Sequence, residues 1–493
     1  MRRLALLCAL LCIVSPAYAQ QSMTVDALRS NMLLASGKPP PQYREETVIS
    51  TTGSGVYLRR EFRRGDDYRI VYGTGPFQRQ SGRLGGKEWD QDANGVTTVQ
   101  PATGTGRIEA TATTATLVSV PFKSYRLATL DAGGFGTVQY VDTQSYRIVR
   151  EDDLTPAGKI VKSFDNYKTV DGYTMAYRIV TDNEVTGAHT DADVITFGAR
   201  DIADSDLAIP PSRDLVTFPA GVTSVMLPAS FQVPRFDVQV TIAGKKLTFL
   251  LDTASPGISL DPAVARQMGL FTAPQNARTN TSQTVVPEIR VGDLSMKNVV
   301  VALTPVSTYS EIDTQAVGTL GYDFMRGAEL LVDYRNKRIT AYTPDHFPAP
   351  AMTPNSDILP LGVYEHAPLI SARINGALAY RVIIDTGAPA DMVVLNSFLR
   401  RYPEITGPKF ARAEDPILYG GAKLPDVKGY RFAEVVVGRI AFNVIDVAAV
   451  DALGSDPVDI DAAMGYGLLD EFAVGFDYAG GKLYLVNQPP RGK

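Results

Sequence analysis

A mainly β protein is the fold class this sequence predicts, with an antiparallel sheet followed by two copies of a second β-rich unit. Three observations carry that reading. Apolar and polar residues alternate through much of the first 200 positions, broken by Gly, Asp and Asn, which is the period of half-buried strands joined by tight turns. A strand–glycine turn–strand–aspartate pattern occurs twice in the second half. Proline-rich joints separate the parts.

Taken in order, the chain begins Met1-Arg2-Arg3, continues with an apolar run over 4–14 and ends this stretch in Ala17-Tyr18-Ala19. A charged start, a short apolar core and a small-x-small ending predict a cleavable export signal over residues 1–19. The run is too short to span a bilayer. Both cysteines, Cys8 and Cys12, fall inside it, so the mature chain is expected to lack disulfides, thiol nucleophiles and cysteine metal sites. Export without another long apolar run predicts a periplasmic location, given a Gram-negative source. A net charge of −5 over 493 residues gives no electrostatic reason to expect nucleic acid or an anionic membrane as partner.

Residues 20–215 form the first domain. Val56-Tyr57-Leu58-Arg59-Arg60-Glu61-Phe62, Tyr68-Arg69-Ile70-Val71-Tyr72 and Tyr146-Arg147-Ile148-Val149-Arg150 read as strands. Gly65-Asp66-Asp67, Asp92-Ala93-Asn94-Gly95 and Val170-Asp171-Gly172 read as turns. Helical periodicity is confined to residues 25–34. The order of these meanders and turns resembles the half-barrel sheets of bacterial lipoprotein-carrier-like proteins. That likeness implies a concave face able to hold a lipid or a peptide; a packing or spacer domain is the other reading. Trp89, the single tryptophan, suits a core or edge position. Residues 201–211, ending in Pro210-Pro211, read as a linker.

The repeat follows. Val238-Gln239-Val240-Thr241-Ile242, Gly244 and the strand into Asp252 match Ile370-Ser371-Ala372-Arg373-Ile374, Gly376 and the strand into Asp385, offset by one residue. Each Asp-Thr is followed by a short helix. In the first, Asp261 suits the cap, Pro262 the first turn and Gly269 the stop; in the second, Asn396 suits the cap and Pro403 the stop. The units close on Gly321 and Asp333-Tyr334, and on Gly465 and Asp477-Tyr478, with equal gaps between landmarks. This places units at 222–345 and 361–490, with a stiff Pro-rich linker over 346–360. Two lobes meeting about a local twofold are expected.

In both copies an apolar strand runs directly into aspartate: Phe249-Leu250-Leu251-Asp252-Thr253-Ala254-Ser255-Pro256-Gly257 and Val382-Ile383-Ile384-Asp385-Thr386-Gly387-Ala388-Pro389-Ala390. Carboxylates are rarely buried without a partner; found twice, each suggests itself as the other's. On these motifs the second half, from about 230 to 488, resembles a retropepsin-like aspartic protease, with both lobes in one chain. The resemblance implies two tandem β-barrel lobes, catalytic Asp252 and Asp385, and loop support from Thr253, Ser255, Thr386, Gly387 and Ala388, with the two threonines cross-bonding the loops. Asp385-Thr386-Gly387-Ala388 matches the motif in full; Ala254 stands where the family has Gly. A glycine-requiring backbone or a tight loop approach at Ala254 would favour a degenerate site. A Ser255 hydroxyl donating to Asp252 would favour its ionised form and leave Asp385 as the protonated member. Leu418-Tyr419-Gly420-Gly421-Ala422 reads as a flap hairpin in which Tyr419 could meet substrate, and 277–285 as its counterpart in the first lobe.

The expected activity is peptide-bond hydrolysis by a water that the aspartate dyad activates, with no metal or organic cofactor, acting on a peptide or protein as a monomer. The alternative is a non-catalytic peptide- or lipid-binding protein on a degenerate protease scaffold. The three histidines, His189, His346 and His366, are far apart in sequence and lack helical metal spacing. No Gly-x-Ser-x-Gly elbow or phosphate loop is present.

Overall fold

The computed structural model describes residues 23–488 except 53–54, 74, 102–111, 120–121, 132–133, 156–157, 185–186, 271–282, 306–314, 365, 407, 411–417, 420–421, 424–427 and 452–459. The export-signal reading therefore lies outside the described residues, as do Gly420, Gly421 and positions 277–282 of the first flap reading. The chain is mainly β: a large antiparallel sheet precedes two closed six-strand barrels in tandem. No helix among the described residues is long and apolar enough to cross a membrane.

The N-terminal sheet has thirteen strands in two meanders, joined where the first strand, Gln42–Thr51, pairs antiparallel with the last, His189–Ala199. The turns sit where the sequence places them. Between Gly158–Val170 and Tyr173–Asn183 the two turn residues, Asp171 and Gly172, have φ of 52° and 78°, the left-handed pair that matches strand twist in a two-residue hairpin. The helix Val25–Ser36 covers part of this sheet, burying Leu28 against Leu127 and Val141. Trp89 is 3% exposed, and its ring lies against Gly82, where a side chain would collide with it.

In the first lobe the ring runs through Arg235–Ile242, Lys245–Leu251, Ala316–Leu320, Ser259–Leu260, Leu294–Leu303 and Gln283–Val291, closing where the first pairs with the last. The second lobe repeats it with Ala367–Ile374, Ala377–Ile384, Ala462–Met464, Met392–Leu395, Ile440–Val450 and Lys428–Val437. Beneath both lies a six-stranded sheet in which Glu329–Asp333 of the first lobe pairs antiparallel with Phe472–Asp477 of the second, Leu330 opposite Phe476 and Val332 opposite Val474. One continuous apolar core runs through both barrels and this sheet, so the lobes share their buried surface and their relative position is fixed by packing.

Two local expectations change. The Pro-rich joint is not linker throughout: Asp357–Pro360 forms the edge strand of the shared sheet, against Lys482–Asn487. Proline is tolerated there because an edge strand leaves one side of its backbone unpaired. The second short helix, Asn396–Arg401, starts at Asn396 itself, whose side chain donates to Asp451 at 3.0 Å instead of capping. Asp261 does cap the first, accepting from Ala263 and Val264, with Pro262 in the first turn and Gly269 at φ 68°.

Candidate active site

Asp252 and Asp385 reach one point because each ends a buried strand. Leu251 and Ile384 are both 0% exposed. The strands Lys245–Leu251 and Ala377–Ile384 each pair in parallel with the strand that leads to the closing glycine. The Asp252 N–H donates to Leu320 O at 3.1 Å, and the Asp385 N–H to Met464 O at 2.9 Å. The Tyr322 N–H then donates to Ser255 O and the Tyr466 N–H to Ala388 O, both at 2.9 Å. Gly321 and Gly465 pass so close to the aspartate loops that a Cβ on Gly321 would lie 2.4 Å from Ser255 O, and one on Gly465 2.3 Å from Ala390 O. The closing glycines are required by this approach.

Four hydrogen bonds cross between the loops. Thr253 Oγ1 donates to Ile384 O at 2.6 Å and accepts the Thr386 N–H at 2.9 Å. Thr386 Oγ1 donates to Leu251 O at 3.1 Å and accepts the Thr253 N–H at 3.1 Å. Both threonines are buried, at 0% and 2% exposed, so each bond is shielded from competing water. The two aspartate carboxyls lie in hydrogen-bonding contact. Their surroundings match: Asp252 Oδ1 accepts the Ala254 and Ser255 N–H groups at 2.9 and 3.1 Å, and Asp385 Oδ1 those of Gly387 and Ala388 at 2.8 and 3.1 Å.

The Ser255 hydroxyl does not reach Asp252. It donates to Gly257 O at 3.2 Å and lies 3.2 Å from Thr319 Oγ1. The loop turns the side chain back onto its own backbone, and only the Ser255 N–H serves the carboxylate. The expected bias towards an ionised Asp252 loses its basis. Burial, and next the charge of Asp385, raise the Asp252 pKa far above the ordinary aspartate range, and the two carboxyls titrate as a pair that holds one proton between them.

Ala254 is accommodated. Its backbone lies outside the left-handed region, so no glycine is needed for conformation, and its methyl packs against a second-lobe apolar cluster that includes Ile383, Ala388 and Val393. The tight position is Gly387, where a Cβ would lie 2.9 Å from Asp252 Cγ. Leu418–Tyr419 and Ala422–Lys423 pair as a short hairpin. Tyr334 was not singled out from the sequence as a site residue. It is 3% exposed, its hydroxyl has no hydrogen-bond partner among the described residues, and burial followed by the Asp385 charge raises its pKa. Its position after Asp333 in the repeated closing motif was the available signal.

An aspartyl protease family model matches residues 238–324, which holds Asp252 and the closing Gly321. No curated protein sequence matches. Among solved structures, the chain is similar to basic 7S globulin from soybean at 11% identity, over 54% of this chain and 97% of that one, with a TM-score of 0.34. It is also similar to a LolA superfamily protein from Nitrosomonas europaea at 12% identity, over 38% of this chain and 97% of that one, with a TM-score of 0.30, and to conglutin gamma from lupine seeds at 10% identity, over 54% and 95%, with a TM-score of 0.33.

Proposed function

We propose that this chain is an aspartic endopeptidase with one catalytic aspartate from each lobe of a tandem, retropepsin-like pair. The observation that carries the reading is the contact between the Asp252 and Asp385 carboxyls, held by reciprocal threonine bonds across the loops. Two carboxylates in contact cannot both ionise cheaply, so the pair keeps one proton. Asp385, ionised, takes a proton from a water seated between the carboxyls. The oxygen attacks the peptide carbonyl carbon, and Asp252 gives its proton to the carbonyl oxygen. The resulting diol collapses as a proton reaches the amide nitrogen and the C–N bond breaks. No covalent enzyme intermediate forms. Thr253, Thr386, Gly387, Ala388 and the Ser255 N–H hold the loops. A peptide lying extended between the lobes can pair its backbone with strand edges, and the hairpin holding Tyr419 belongs to the substrate-covering side of this proposal.

Export to the periplasm, action as a monomer, and a substrate-holding or spacer role for the N-terminal sheet belong to the same proposal and rest on the sequence pattern. The test is cleavage of a peptide library from acidic to neutral pH by the full chain. The expected result is cleavage that Asp252→Asn and Asp385→Asn each reduce by at least about 10³-fold, the scale of losing a general acid or base. Cleavage that survives both substitutions, or none at any pH, refutes the assignment and leaves a binding protein on this scaffold.

A further inference from the structure

The N-terminal sheet touches the first lobe through the turn between Lys87–Gln91 and Thr97–Pro101. Asn94, at the tip, is 3% exposed and behaves as an added strand residue: its Oδ1 accepts the Val300 N–H at 2.7 Å and its Nδ2 donates to Val300 O at 2.9 Å. The same Nδ2 donates to Asp323 Oδ2 at 2.8 Å. Asp323, in the helix Tyr322–Gly327, is 4% exposed. Beside it lie Asp92 of the turn and His366 of the second lobe. One donor atom from each of Asp92, Asp323 and His366 falls within 4.8 Å of the other two.

Each carboxylate here has one oxygen held by an N–H donor and one that no such donor among the described residues reaches. Asp92 Oδ1 accepts the Val96 N–H at 2.9 Å, while its Oδ2 is buried with no hydrogen-bond partner. Asp323 Oδ2 is held by Asn94, while its Oδ1 is buried with none. The two carboxyl groups are in contact. A buried and a half-buried carboxyl in hydrogen-bonding contact, each with an oxygen that no N–H donor reaches, need either a shared proton or a positive partner. Among the described residues, the ion pair of His366 is with Asp90.

We propose that these groups form a divalent metal site, with Asp92 Oδ2, Asp323 Oδ1, His366 Nδ1 and the Pro256 carbonyl as donors. His366 is arranged as a ligand would be. Its Nε2 lies 2.5 Å from Asp90 Oδ2, and its Nδ1 lies 3.3 Å from Pro256 O. A carboxylate on one ring nitrogen orients the ring, and the other, which donates to Pro256 O when no metal is bound, can exchange that proton for metal. Two donors about 2.1 Å from a tetrahedral zinc lie about 3.4 Å apart, close to the spacing of Nδ1 and Pro256 O. Asn94 is the matching support for Asp323. His366 also adopts φ 68°, a conformation that favours glycine and persists only where the surroundings hold it. Three oxygens and one imidazole suit Zn²⁺ or Mn²⁺ better than the all-oxygen preference of Ca²⁺ or Mg²⁺. The donors come from all three units: Asp92 from the N-terminal sheet, Asp323 and Pro256 from the first lobe, His366 from the second. The ion clips them together at the loop that carries Asp252.

The test is titration of the chelator-stripped full chain with ZnCl₂ and, separately, MnCl₂, by calorimetry and thermal melting. Wild type is expected to take up one equivalent and melt higher when loaded. Asp323→Asn and Asp92→Asn, each keeping the shape and the engaged oxygen, are expected to weaken binding by at least tenfold, and Asn94→Ala by about tenfold. The Asp252→Asn/Asp385→Asn double variant is expected to keep the equivalent, which separates this site from the dyad. Absence of stoichiometric uptake by wild type, or uptake unchanged in Asp92→Asn and Asp323→Asn, overturns the proposal and leaves the two carboxyls sharing a proton. Because wild type is itself an arm, a variant that fails to fold does not decide the result.

Discussion

Exchanging Gly387 for alanine, and Ala254 for glycine, tests which of the two small residues the dyad depends on. The Cβ added at Gly387 would lie 2.9 Å from Asp252 Cγ, 3.1 Å from Oδ1 and 3.2 Å from Oδ2. Ordinary carbon–carbon contact begins near 3.5 Å, so the carboxyl must retreat by about 0.6 Å. It has little room to do so. The Ala254 and Ser255 N–H groups hold Oδ1 at 2.9 and 3.1 Å, and a shift of about 0.6 Å takes both to or beyond the limit of useful hydrogen bonding. Overpacking of this kind costs about 1–3 kcal/mol, and a catalytic group displaced by about an ångström loses about 10²-fold in rate. Gly387→Ala is therefore expected to lower stability by about 1–3 kcal/mol and kcat/KM by roughly 10–100-fold. Ala254→Gly removes a half-buried methyl and loosens the unfolded chain, which together cost about 1 kcal/mol, and it is expected to leave kcat/KM within about threefold. Chemical denaturation and cleavage of one peptide taken from the library read both numbers. The reasoning fails if Gly387→Ala matches wild type in both, or if Ala254→Gly raises activity by tenfold or more.

Four further outcomes follow from the same geometry. Thr386→Val strands the Thr253 N–H and Leu251 O in a buried loop and is expected to cost about 2–4 kcal/mol in denaturation; a cost below about 0.5 kcal/mol would mean the cross-loop bonds do not hold the lobes. Arg401 pairs with Asp461, which is 0% exposed and also accepts the Tyr380 and Arg381 N–H groups; Arg401→Met breaks this buried pair and is expected to cost about 3 kcal/mol. Glu329 accepts the Tyr478 and Ala479 N–H groups at 2.5 and 2.8 Å, and burial pushes its pKa up from 4.5 to about 7. A raised carboxyl pKa gives stability that is full below 4.5 and is lost as pH rises through about 7, so wild type is expected to weaken between pH 5 and 8 more than Glu329→Gln does, as read by urea midpoints. The raised Asp252 pKa likewise keeps the dyad's proton well above the ordinary aspartate range near 3.8, so the alkaline limb of kcat/KM is expected towards neutral pH; a limb near pH 4 would place the proton elsewhere.

What could be read from the sequence was what repeats or lies within a few residues. The Asp-Thr loops, the closing glycines and the Asp261 cap are short patterns with a local physical cause, and the duplication made each copy a check on the other. The orientation of the Ser255 hydroxyl was not readable, because several acceptors lie within reach and only the folded loop selects Gly257 O. The edge strand Asp357–Pro360 was hidden by its prolines, which suit a spacer and an edge equally well. The contact of Asp92 and Asn94 with Val300, Asp323 and His366 joins positions up to 274 residues apart. Nothing in the turn Asp92-Ala93-Asn94-Gly95 distinguishes a tip buried in another unit from one in water.

That contact bears on why the two aspartate loops are not equivalent. Around the dyad the lobes match almost bond for bond, so the nearest neighbours give no reason for the carboxyls to differ. The difference lies one layer out. In the first lobe the residue two after the closing glycine is Asp323, and Gly257 of the aspartate loop packs on it, with a Cβ there falling 3.0 Å from Asp323 Oδ2. In the second lobe the same place is Gly467, and the carboxylate comes from the loop instead: a Cβ on Gly467 would lie 1.7 Å from Asp391 Oδ1. Each lobe thus keeps one carboxylate at this contact but supplies it from opposite sides. Only in the first lobe does it stand on the helix, where Asn94 of the N-terminal sheet donates to it and Asp92 lies against it. The N-terminal sheet therefore grips the support of Asp252.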